Sequence, residues 1–434
     1  MQYYSLNKTS TNVDFKTATI NGQAPDKGLY FPQTIPVFTK RWINELPNKT
    51  NEQIAYDVIQ PYIGNQIPEA DLYQIVAETI NFKMPLVKIT EAIYSLEMYH
   101  GPTLAFKDIG ARFMSRCLQY FVKDATKKIT VLVATSGDTG GAVANGFYNV
   151  AGVEVVILYP SGKVSTVQEK QLTTLGNNIK ALEVNGTFDD CQQMVKQAFL
   201  DADINKHLFL TSANSINVAR WLPQQFYYFF AYKLWKFQHD GDEPVISVPS
   251  GNFGNICAGL LAKVSGLPIA HFIAACNQND AVPNYLQTNI YTPKPAVPTI
   301  SNAMDVGNPS NFVRVLQLFQ QQYQTVKNNI TGYKITDEQT KATLKNVYKQ
   351  HQYLLDPHGA VAYNALEQYL LQYNTQSGII IETAHPVKFY DVVEPIINQT
   401  IALPKAISNI MHLPKKTTLI AANFNELKAF LLNP

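Results

Sequence analysis

From Lys128 onward, short apolar and β-branched runs alternate with longer stretches in which apolar residues recur at helical spacing. The runs cover residues 129–134, 153–159, 179–184, 208–211, 245–248, 269–274 and 378–382. Several are apolar throughout, as in strands covered on both faces, and strands separated by helices of a dozen residues or more write a parallel sheet. Thr187, followed by Asp190, has the form of a capping box opening a helix over 188–200, with Met194, Val195 and Ala198 on its apolar side. Residues 337–349 read as a polar surface helix, and the aromatic run 226–232 as a buried helix face. The Pro- and Asn-rich stretches 278–301 and 308–311 read as loops. Residues 1–95 differ in texture, with polar loops, the segment 28–36 and one helical pattern near 52–63, and are expected to form a separate N-terminal domain. The pattern predicts an α/β protein without internal repeats.

Composition narrows the class. Of 434 residues, 46% are hydrophobic and only 16% charged. That charged fraction lies below the roughly 25% of an ordinary soluble domain, so the chain folds and buries a large core. At roughly 100–200 residues per domain, two to four domains are expected. Thirty-five Lys+Arg against 33 Asp+Glu leave a net charge of +2. No basic stripe is present to release counterions, so no nucleic-acid partner is expected. Cys117, Cys191, Cys257 and Cys276 lie far apart without zinc-ligand spacing and read as buried reduced thiols, with no metal. No basic start precedes an apolar run, and no stretch approaches the ~18 apolar residues of a membrane span. A cytoplasmic protein without a membrane partner is expected.

Three segments carry candidate chemistry. Thr135-Ser136-Gly137-Asp138-Thr139-Gly140-Gly141 and Ser250-Gly251-Asn252-Phe253-Gly254-Asn255 each end a predicted strand and open a predicted helix. At that edge of a parallel sheet, free backbone N–H groups and a helix N-terminus favour anions, and two such loops suggest two anionic groups. Neither fits a dinucleotide fingerprint, and Ser161-Gly162-Lys163 lacks the upstream glycine of a P-loop. In the third, HGPTLAFKD, Lys107 opens a helix whose Phe106, Ile109, Phe113 and Met114 make one apolar face. A lysine there is either a snorkelling surface residue or a desolvated amine with a lowered pKa, nucleophilic enough to form a Schiff base.

HGPTLAFKD, ATSGDTGGAV from Ala134, SANSINVAR from Ser212, VPSGNFGN from Val248, SNAMDVGNP from Ser301 and ETAHPVKF from Glu382, with GLYFPQTIP from Gly28, together resemble the threonine synthase family. The resemblance covers nearly the whole chain. It implies pyridoxal 5'-phosphate as cofactor and fold type II: open, mostly parallel sheets in two sub-domains with the cofactor between them, plus an N-terminal domain. The division it implies is 1–95, a large cofactor-binding domain of 96–124 and 212–434, and a small mobile domain of 125–211. On this mapping Lys107 is the catalytic residue and the lysine bonded to the cofactor. Gly251, Asn252, Phe253, Gly254 and Asn255 hold the cofactor's phosphate, Thr383 lies beside its pyridine nitrogen, and Asp138 lies against its phenolic oxygen, where relatives elsewhere in the fold usually place Asn. A carboxylate there repels a phenolate unless it is protonated or turned away. Ser136 and Thr139 correspond to the residues receiving the substrate's carboxylate, and Asn214, Ser215 and Arg220 to the group around its phosphate. Lys163 is a further candidate for that anionic pocket.

The resemblance further implies O-phospho-L-homoserine as the small-molecule substrate, L-threonine and phosphate as products, and a monomer. Two other readings stand beside it. One is a different enzyme of the same fold: a serine or threonine dehydratase, in which Asn214, Ser215 and Arg220 would have no substrate phosphate to hold, or a phospholyase, which releases phosphate without making threonine. The other is a non-catalytic ligand-binding protein, against which an intact Lys107 argues.

Overall fold

The computed structural model describes residues 1–123, 128–239, 242–374 and 377–433. Their strands form three sheets. The six-stranded sheet runs Ile330–Lys334, His271–Cys276, Val245–Pro249, Gly378–Glu382, Ile93–Glu97 and Leu86–Lys88, parallel except for its last pair. The five-stranded sheet runs Thr417–Ala421, Ile179–Asn185, Val153–Pro160, Ile129–Ala134 and Phe209–Thr211, all parallel. A small antiparallel sheet joins Val13–Asp14, Gln2–Ser5 and Tyr30–Pro32.

The uninterrupted apolar runs have a direct cause, because successive side chains of a strand point to opposite faces and each face here has its own core. In Ile129–Ala134, Ile129, Val131 and Val133 enter the main core, while Leu132 and Ala134 enter a second one with Leu182, Met194 and Leu427. In Gly378–Glu382, Ile379 and Ile381 face the main core, and Ile380 faces the core under the helix Pro357–Tyr373. The helix Phe188–Leu200 opens on the Thr187–Asp190 capping box, as its sequence predicts.

Several expectations are corrected. The strand expected at 269–274 is His271–Cys276, since pairing with the parallel Val245–Pro249 begins at His271. The stretch 278–301 contains the helix Ala281–Thr288, with Pro283 in the first turn, where a missing N–H costs no intrahelical bond. The aromatic run is buried all round: every residue from Phe226 to Tyr232 lies inside the helix Phe226–Lys236.

The domain boundaries shift as well. Leu86–Lys88 and Ile93–Glu97 belong to the six-stranded sheet, so an N-terminal unit of 1–95 runs too far. At the other end, Thr417–Ala421 is the edge strand of the five-stranded sheet, and Leu427 and Leu431 of the helix Phe424–Leu432 share its core. The chain therefore returns at its end to the unit expected to span 125–211 alone. Ile420 is the one buried residue of that strand, whose apolar run, Leu419-Ile420-Ala421, is too short to announce it. The boundary expected at 124–125 lies outside the described residues.

Candidate active site

The carboxyl ends of three neighbouring strands set out the site. Ile93–Glu97 leads into the Lys107 turn, Val245–Pro249 into the Gly251 loop, and Gly378–Glu382 into Thr383. Adjacent strands lie only about 4.8 Å apart, so these segments share one edge. The Lys107 turn is stitched to the last of them. Phe106 N–H donates to the Thr383 carbonyl (2.9 Å), and His385 N–H donates to the carbonyl of Leu104, which adopts a left-handed φ of 57°. Lys107 is thus the first residue of the helix Lys107–Val122, whose Ile109, Phe113 and Met114 are buried.

The Lys107 side chain is one-fifth exposed and its Nζ lies 3.9 Å from Asp138 Oδ2. Burial pushes the amine's pKa down, Asp138 opposes that shift, and Lys388 and Arg220 reinforce it. The desolvated-amine reading of Lys107 is the one this geometry supports. Asp138 opens the helix Asp138–Phe147, and its other oxygen accepts from Lys388 Nζ (2.8 Å) and Gln168 Nε2 (2.8 Å). Burial alone would raise its carboxyl, but Lys388 first and Lys107 second hold it well below the usual carboxylate range. Asp138 is therefore an ionised carboxylate. Lys388 and Gln168 are residues the sequence reading missed. Lys388 had a signal, a lysine among Pro386, Val387 and Phe389, whereas Gln168 had none.

The second loop has the form of an anion cradle. Phe253 takes a left-handed φ of 61° immediately before the helix Gly254–Val264, the backbone form in which consecutive N–H groups can make an anion-binding concavity. A Cβ on Gly251 would lie 2.6 Å from Met304 Cα, so the 301–309 segment roofs the loop. That roof is held in turn, since Ala303 N–H donates to His358 Nε2 (3.2 Å) and His358 Nδ1 bonds Asp356 (2.8 Å). Asn255 Oδ1 lies 2.6 Å from the hydroxyls of both Tyr227 and Tyr228, while its buried Nδ2 has no hydrogen-bond partner among the described residues. Asn252 is fixed by Ser310 N–H and by Ser215 Oγ (2.9 Å).

The substrate-side candidates are placed as follows. Ser136 and Thr139 are half-buried and flank Asp138 on the first loop. Ser215 Oγ is occupied by Asn252 and Asn311 (3.0 Å), which puts it against the second loop, and Asn214 is half-buried beside it. Arg220 is buried in the helix Val218–Trp221, donates to the Ala213 carbonyl, and has an Nε without a partner among the described residues. Burial pulls its guanidinium down to about 10, which still leaves it charged at neutral pH. Gly110 makes room for it, since a Cβ there would lie 2.6 Å from the Arg220 carbonyl. Lys163, the further candidate, is exposed and acts on Asp190.

A buried amine, an anion cradle with an unused amide donor, and a hydroxyl residue at the neighbouring strand end fit pyridoxal phosphate. Lys107 would bond it, Gly251–Asn255 would hold its phosphate, and Thr383 and Asp138 would line its ring. The fold and site define a pyridoxal-phosphate-dependent enzyme, and the family described as pyridoxal-phosphate dependent enzyme matches residues 81–381. Residues 2–80 match the threonine synthase N terminus and residues 359–431 the threonine synthase C-terminal family. A threonine synthase of Buchnera aphidicola is 42% identical over 433 residues, a coverage of 100% of each chain. The crystal structure of threonine synthase from Escherichia coli superimposes with a TM-score of 0.92 at 41% identity, covering 100% of each chain. That of PLP-bound threonine synthase from Brucella melitensis gives 0.92 at 33%, covering 99% of this chain and 98% of its own. This chain belongs to the threonine synthase family.

Proposed function

We propose that the chain converts O-phospho-L-homoserine and water to L-threonine and phosphate. The observation that carries this reading is the Lys107 amine, four-fifths buried and held 3.9 Å from an ionised Asp138, with the charged Arg220 close enough to influence it. The bound cofactor supplies an electron sink for negative charge at the substrate's Cα. Arg220 and Asn214 bind the substrate's phosphate, and Ser136 and Thr139 receive its carboxylate. Lys107 Nζ accepts the proton from Cα. A second proton is lost at Cβ as phosphate leaves Cγ. Water then adds its oxygen to Cβ, and Cα and Cγ regain protons, so that atoms balance. Arg220 suits the departing phosphate because a guanidinium pairs bidentately with phosphate oxygens.

We further propose that the chain acts as a monomer in the cytoplasm. Four free, buried cysteines support a reducing compartment. The decisive assay supplies O-phospho-L-homoserine and quantifies threonine and phosphate together. Equal amounts are expected, whereas phosphate accompanied by 2-oxobutanoate in place of threonine overturns the reading.

A further inference from the structure

Three segments distant in sequence meet at Lys388. This side chain is fully buried, and its ammonium donates to Asp138 Oδ1 and to the Thr103 carbonyl, both at 2.8 Å. Its backbone is pinned at both ends: Lys388 N–H donates to the His385 carbonyl (3.0 Å), and Ser165 Oγ donates to its own carbonyl (2.9 Å). Gln168, from the helix that Ser165 caps, takes the same Asp138 oxygen at 2.8 Å. Asp138 Oδ1 is thus saturated, and only Oδ2 faces Lys107, beyond hydrogen-bond reach at 3.9 Å.

We propose that Lys388 is a positioning residue: it anchors Asp138 as an ionised carboxylate and keeps it from closing onto Lys107, so that the Lys107 nitrogen stays free to take and give protons. The geometry assigns the shared carboxylate to one partner. Two buried amines stand around a single anion, and the one with short bonds to two acceptors is Lys388. Other charged groups act on Lys107 from the surrounding elements: Arg220 from its short helix, and Asp356 from the cap of Pro357–Tyr373. Asp108, on the helix of Lys107 itself, is engaged by Thr103 through N–H (2.9 Å) and hydroxyl. None of these groups contacts Asp138. The arrangement also accounts for a buried carboxylate at the Asp of GDTG, because Lys388 supplies the opposite charge that it requires.

This proposal rests on Lys107 as the cofactor-bonded amine. Its test is a pH titration of the visible absorbance of the cofactor-loaded protein. Loss of Lys388 removes a repelling charge and frees Asp138 to reach Lys107, and both effects favour the protonated nitrogen. Lys388→Met is therefore expected to raise the titration midpoint by about one pH unit, and Asp138→Asn to lower it by a similar amount. Lys388→Arg, which keeps the charge, is expected to leave it within about 0.3 unit. If Lys388→Met alone does not fold, the same change is made with Asp138→Asn, which leaves no uncompensated buried charge, and it is expected to raise the midpoint relative to Asp138→Asn alone. A visible band whose midpoint fails to rise with Lys388→Met in either background overturns the proposal alone. A wild-type protein with no such band overturns the cofactor assignment and the proposal with it.

Discussion

Lys107 and Arg220 show how much of a residue's chemistry comes from its surroundings. In sequence, each reads equally well as a surface cation, and burial beside a carboxylate or beneath a helix removes that option. Arg220→Ala is expected to lower kcat/KM for O-phospho-L-homoserine by about 100-fold or more, as for a lost buried charge pair. An unchanged value removes Arg220 from the site. Histidine protonation acts on stability instead. Burial pushes both His271 and His385 down to about 4, aided by Lys263 and His100 respectively. The unfolded rings titrate near 6.5, so below that pH the unfolded chain binds more protons than the folded one. Stability is therefore complete above about pH 6.5 and falls as the pH drops towards 4. Thermal melts across that window are expected to show the decline, and His271→Gln should reduce it; an unchanged slope would exclude His271 as a contributor.

Elements set the distances that residues alone do not specify. The Gly251 loop is pressed against Met304 so closely that a methyl group has no place. Gly251→Ala is expected to displace the loop and weaken cofactor binding about tenfold or more, in line with an overpacking cost of about 1–3 kcal/mol, measured by equilibrium dialysis. Wild-type affinity in this variant would mean that the loop does not hold the phosphate. Both βα loops were legible, because each follows an apolar run and opens a helix with glycines. The role of Lys388 was not, although its turn lies within ETAHPVKF, because that role is a contact with Asp138, 250 residues earlier in the chain.

At the scale of the whole molecule, the end of the chain completes the five-stranded sheet. Truncation after Leu413 removes Thr417–Ala421 and the helix Phe424–Leu432, baring the edge of Ile179–Asn185 and uncovering Leu182, Val184 and Cys191. The truncated protein is expected to aggregate or melt well below the full chain; an equal Tm would show that the strand is dispensable. The loops carrying Ser136, Asp138 and Thr139 come from this sheet, whereas Lys107 and Thr383 lie at the edge of the other. Substrate binding is therefore expected to draw the two together and exclude water, seen as a smaller radius of gyration in X-ray scattering. An unchanged radius would argue for a site that does not close.

Periodicity in the chain determined seven of the strands from residue 128 onward, though not Ile330–Lys334 or Thr417–Ala421, and the motifs around the glycine loops, Lys107 and Glu382 pointed to the family, because these signals are local and survive without neighbours. Tertiary structure decided the rest. Which amine would carry the shared charge, where Ser215 points, and how residues 417–421 pair all depend on groups distant in sequence. Desolvation and hydrogen-bond competition are properties of an assembled interior, and no spacing along the chain encodes them.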